Sequence, residues 1–93
     1  MLLLKVLQFI YLIIMKLLMK VYQFAVIIEQ DNEGMYMARV PDLPGCHTQA
    51  KTLPQLYKRI EEAIELSIDI CKEKNTPIPQ MKFVGVQQIQ ISV

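Results

Sequence analysis

Residues 35–46 read MYMARVPDLPGC, and this stretch decides the fold. Tyr36, Ala38 and Val40 fall on one face of a strand, while Met35, Met37 and Arg39 take the other. Pro41 and Pro44 cannot donate to a ladder, so pairing must lapse after Val40. Gly45 can take a positive φ and turn the chain. The two prolines lower the entropy lost on ordering the corner. The stretch therefore ends one strand, fixes a bend and starts the next without a flexible loop. Leu43, placed at the tip of that rigid and exposed corner, is a candidate contact residue.

Upstream, VYQFAVIIE (21–29) sets Tyr22, Phe24, Val26 and Ile28 on one face, the pattern of a strand with one strongly buried side. The polar run Gln30-Asp31-Asn32-Glu33-Gly34 ends in glycine and predicts a hairpin into the second strand. Downstream, CHTQA (46–50) is a short third strand. Thr52 then opens a helix as a capping residue, with Gln55 three positions on and Pro54 tolerated in the first turn.

The helix spans about residues 53–73. Leu53, Leu56, Tyr57, Ile60, Ala63, Ile64, Ser67, Ile68 and Cys71 share one arc, and Lys58, Glu61, Glu62, Glu65, Asp69 and Lys72 lie opposite. Leu66 falls on the polar side and Ile70 flanks the stripe. Asn75 can cap the C-terminus, and Pro77 and Pro79 forbid continuation. The last segment, KFVGVQQIQISV (82–93), is expected as a fourth strand. Its parity switches between Val84/Val86 and Ile89/Ile91/Val93, so a bulge near residues 85–88 is needed.

The expected order is β-β-β-α-β, an α+β domain in which one helix covers one sheet face. If the last strand lies beside the first, the crossover is right-handed. The other face stays uncovered, unless residues 1–18 or another subunit cover it. With Met35, Met37, Ile89 and Ile91 open to solvent, a homo-oligomer is expected.

The chain has 93 residues, room for one small domain, and is 53% hydrophobic and 20% charged, so it is globular rather than disordered. Residues 1–18, MLLLKVLQFIYLIIMKLL, contain only Lys5, Gln8 and Lys16 as polar positions. As a signal peptide this stretch lacks a small-residue cleavage site. Three readings fit it: a leader translated from an upstream start codon, a membrane anchor, or an ordered extra element. Eighteen helical residues rise about 27 Å, just under the roughly 30 Å of a bilayer core. The domain proper is read as residues 19–93, and a membrane is not an expected partner. Net charge is +1, or −1 without Lys5 and Lys16. Neither value is a nucleic-acid footprint, which needs a clustered basic excess.

Cys46 and Cys71 form no CxxC, and neither pairs with His47 at zinc spacing. Cysteine usage points to a reducing, cytoplasmic compartment. Cys46 and His47 point to opposite sides of a strand, so they make no natural dyad. Asp31, Glu33, Asp42 and Asp69 evoke a two-metal nuclease. However, the first two sit in a turn and the strands carry no converging carboxylates. No cofactor or metal is expected.

Glu61, Glu65 and Asp69 follow i, i+4, i+8, a like-charge row that costs an isolated helix a few tenths of a kcal/mol per pair. A solvated face, partly balanced by Lys58 against Glu62, accounts for the row without further purpose. The functional reading is a negative strip that steers a basic partner, with Leu66 as apolar anchor.

Residues 22–69 resemble the HicB family of antitoxins. The matching positions are Gly34, Tyr36, the run Val40-Pro41-Asp42-Leu43-Pro44-Gly45-Cys46, Thr52, Glu62 and Ala63. The family's usual Gly-Asp before the threonine is Ala50-Lys51 in this chain. The resemblance implies a partial ribonuclease-H-like sheet. It also implies a binding module, not an enzyme, that masks a HicA-like toxin, a small basic protein that cleaves RNA. Many family members add a C-terminal DNA-binding domain. With a single strand expected after the helix, this chain resembles the short stand-alone form, for which no direct nucleic-acid binding is expected. Two other readings stand beside it: an orphan oligomeric module binding another protein or ligand, and a metal-dependent nuclease.

Overall fold

The computed structural model describes residues 1–93. Its elements are α1 (Leu2–Leu18), β1 (Ile27–Gln30), β2 (Tyr36–Arg39), β3 (His47–Ala50) and α2 (Leu53–Glu73). The class is α+β. The three strands form one antiparallel sheet in the order β1-β2-β3. The register pairs Ile28 with Ala38 and Ala38 with Thr48, so the faces alternate as the sequence pattern requires.

The β1–β2 hairpin closes on polar turn chemistry. Asp31 Oδ1 accepts the amides of Glu33 and Met35, each at 2.9 Å. Gly34 takes φ +86°, a conformation that a side chain would strain. At α2, Thr52 Oγ1 accepts the Gln55 amide at 3.3 Å, with Pro54 in the first turn. The helix ends in a Schellman motif. Asn75 sits at φ +53°, its amide reaches Lys72 O, and the Thr76 amide reaches Cys71 O at 2.9 Å.

The core lies between α2 and one sheet face. Ala38, Val40, Leu43, Cys46, Ala50, Leu56 and Ile60 are buried, and Phe24, Val26, Tyr36, Leu53, Ala63 and Ile64 pack around them. Leu56 is wholly enclosed. Ala38 and Ala50 leave room for the helix to approach the sheet closely. Arg59 Nη1 donates to Gln49 O at 2.8 Å and ties α2 to the β3 edge.

Five expectations are corrected. The first strand does not run over 21–29: β1 spans Ile27–Gln30, residues 21–26 join no ladder, and Ile28, expected on the strongly buried side, is 40% exposed. Leu43 is not at an exposed tip: it is 3% exposed, turned inward into the core. Tyr57, expected in the apolar arc, is half exposed at the margin of the helix contact. Lys58 does not pair with Glu62, because the chain's one ion pair within 4.0 Å joins Arg39 and Glu29. Residues 82–93 form no fourth strand. The Met81 amide donates to the Asp42 carboxylate instead of a neighbouring strand, and beyond it the backbone meets no sheet edge. A strand without a partner has nothing to stabilise it.

Residues 2–18 are helical with no buried residue, and only the helix end, at Leu18, comes near another element, beside Lys72 of α2. They leave the far sheet face uncovered. No helix is long and apolar enough to cross a membrane. With both ends extending from the core, the radius of gyration is 18.9 Å, against about 12 Å for a compact chain of this length.

Candidate partner-binding surface

The outward side of α2 follows from the burial of its inward side. Leu56 and Ile60 fix the helix against β2 and β3, and Ala63 and Ile64 continue the contact. A 3.6-residue period then carries Glu61, Glu65 and Asp69 to the solvent side, all exposed. Leu66 is 61% exposed beside them, and Ile70 is 42% exposed further along. No cation lies within 4.0 Å of the Glu61, Glu65 or Asp69 carboxylates, and Lys58 and Lys72 bound the row at its two ends without pairing with it. The structure thus brings four of the five candidate contact residues onto one face. Leu43 is separated from them by the core that it helps to build.

The corner is a closed device. Val40 N donates to Cys46 O at 3.0 Å, Leu43 N to Val40 O at 3.1 Å and Cys46 N to Leu43 O at 3.0 Å. Gly45 takes φ +80° to close it. Asp42 is buried at 9% exposure, and its Oδ2 accepts the Met81 amide at 3.3 Å. This clamp between corner and tail was absent from the sequence reading. Nothing local announces it, since the two residues lie 39 positions apart. The Arg59 tie to Gln49 was likewise missed, for it depends on how the helix sits on the sheet.

The remaining chemistry-bearing residues are dispersed. Cys46 is buried whereas its neighbour His47 is exposed, so the two lie on opposite faces as expected. Both cysteines are free thiols. Asp31 is occupied by its turn, Asp42 by Met81, and nowhere do three His, Cys, Asp or Glu side chains converge. The far sheet face presents Ile27, Glu29, Met37, Arg39, His47 and Gln49 in a shallow depression of mixed charge.

The arrangement combines a packed core, a sealed corner and an acidic helix face with an exposed leucine beside it. A family model described as the HicB_like antitoxin of bacterial toxin-antitoxin systems matches residues 24–91. The chain belongs to this HicB-like antitoxin family. It is also similar to a UPF0150 protein of Archaeoglobus fulgidus, 45% identical over 69 residues, which cover 74% of this chain and 94% of the relative. A UPF0150 protein of Thermoplasma acidophilum is 43% identical over 58 residues, covering 62% and 84%. One from Synechocystis is 33% identical over 69 residues, covering 74% and 94%. Membership in the HicB-like family supports an antitoxin role in a toxin-antitoxin pair and points to regulation rather than catalysis. The family match takes in the sheet, the corner, α2 and the tail, whereas α1 lies outside it.

Proposed function

We propose that this protein binds and masks a small, basic, RNA-cleaving toxin of the HicA type, through the outward face of α2. Glu61, Glu65 and Asp69 steer the toxin and Leu66 anchors it, so inhibition is steric and electrostatic with no chemistry of the antitoxin's own. The observation that carries the reading is an acidic row that forms no ion pair within the chain, beside an exposed leucine, on a helix whose other side is locked into the core. An exposed Leu that buries itself on binding gains roughly 1.5–3 kcal/mol, and opposite charge raises the encounter rate. The mixed charge of the far sheet face suits a basic partner less well. The acting unit is residues 19–93, and the site of action is the cytoplasm, where the toxin meets RNA.

The test is co-expression with any small basic protein encoded beside the gene. Growth rescue and co-purification are expected, and both should weaken in Glu61→Lys/Glu65→Lys/Asp69→Lys. Failure of the unaltered protein to rescue or co-purify would leave the orphan-module reading in its place.

A further inference from the structure

Residues 82–93, KFVGVQQIQISV, are exposed throughout, with Val84 at 91%, Ile89 at 76% and Ile91 at 73%. Their backbone groups donate to and accept from no other backbone, and only Gln88 O is engaged, by the side chain of Gln87. Val84, Val86, Ile89, Ile91 and Val93 are β-branched, the composition of a strand that packs on a sheet. A strand of this kind completes itself only against an edge.

The sheet has two edges, and they are not equivalent. On β3, Gln49 O is taken by the Arg59 guanidinium. On β1 the outward edge has no partner. The chain approaches that edge from upstream, where Gln80 Nε2 donates to Gln23 O at 3.1 Å and Asp42 holds the Met81 amide. Lys82 and Phe83 still line a depression with Phe24 and Ala25, and beyond them the chain makes no backbone hydrogen bond to its own β1. Pro77 and Pro79 restrict the approach to an extended path. A detached strand-forming arm, a proline-stiffened connection and an open edge on the same chain are the ingredients of reciprocal exchange between two copies. At about 1.45 Å² per dalton, twelve extended residues expose roughly 2,000 Å². Covering half of that exceeds the roughly 800 Å² per partner of a standard interface.

We propose that residues 82–93 of one copy add as the fourth strand to the β1 edge of a second copy, and reciprocally about a two-fold axis. The partner copy supplies the strand that each sheet lacks. This surface is separate from the outward face of α2, so self-association and toxin binding are tested independently.

Light scattering on the full chain should give twice the 10.8 kDa of one chain. Ile89→Pro/Ile91→Pro, which removes two ladder donors, should weaken dimerisation at least tenfold. In a dimer mixed from differently labelled wild-type copies, isotope-filtered NOEs should join Ile89 and Ile91 methyls of one copy to the amides of residues 27–30 of the other. That readout stands even if the proline variant misfolds. Three results would overturn the proposal: NOEs of this kind arising within one copy, a folded proline variant that remains dimeric, or tail amides protected only after toxin is added.

Discussion

The Met81 amide donates to the Asp42 carboxylate across 3.3 Å, joining the proline corner to the segment that follows α2. Asp42 is the one buried polar residue of the chain, and this is the hydrogen bond its side chain makes. Asp42→Ala should therefore cost about 1.5–3 kcal/mol, the usual worth of a hydrogen bond to a charged group. Asp42→Asn, which keeps an acceptor oxygen, should cost less. Urea unfolding of the two variants measures the difference, and faster hydrogen exchange at Met81 in Asp42→Ala localises it.

Leu43 and Leu66 should behave in opposite ways. Leu43 is 3% exposed and Leu66 61%. Leu43→Ala should lower unfolding free energy by about 2–5 kcal/mol. Leu66→Ala should change it by no more than about 0.5 kcal/mol and instead weaken toxin affinity. Thermal melts and titration calorimetry on the same two variants read both effects. A stable Leu43→Ala protein with impaired toxin binding would return Leu43 to the contact surface.

Gly45 isolates a backbone effect. A Cβ at this position meets no atom within 4 Å, but φ is +80°. Gly45→Ala should destabilise by about 1–2 kcal/mol through conformation alone. Gly45→Asn should recover part of that loss, since Asn tolerates the left-handed region better. Equal melting temperatures for all three proteins would contradict this account of the corner.

The features legible in the sequence share a cause: their determinants are local. Thr52 caps Gln55, Gly34 and Asp31 shape a turn, and Asn75 closes a helix, each within a few residues. The apolar stripe ending at Ile60 and Ala63, and the acidic row opposite, follow from a 3.6-residue period. Leu43 was misplaced because a proline-flanked leucine reads as a loop tip, whereas three backbone hydrogen bonds curl the corner and turn its side chain inward. The fourth strand was expected because residues 82–93 have strand composition. Composition states a preference for an edge, and where that edge lies is a tertiary matter. The Asp42–Met81 clamp and the Arg59–Gln49 tie share that character. Among the candidate contacts, Glu61, Glu65, Leu66 and Asp69 were legible as one face because a single regular helix positions all four.

The central claim is that the acidic face of α2 receives a basic toxin. Its most direct test is titration calorimetry of this protein with the basic toxin that the co-expression retrieves, at low salt and again at physiological ionic strength. The toxin's catalytic residue is substituted so that both proteins can be prepared. The unaltered chain should bind more tightly at low salt. Glu61→Lys/Glu65→Lys/Asp69→Lys should lose at least tenfold in affinity, about 1.4 kcal/mol, and most of the salt dependence, with an unchanged melting temperature. Equal affinity of the two proteins at low salt would contradict the claim.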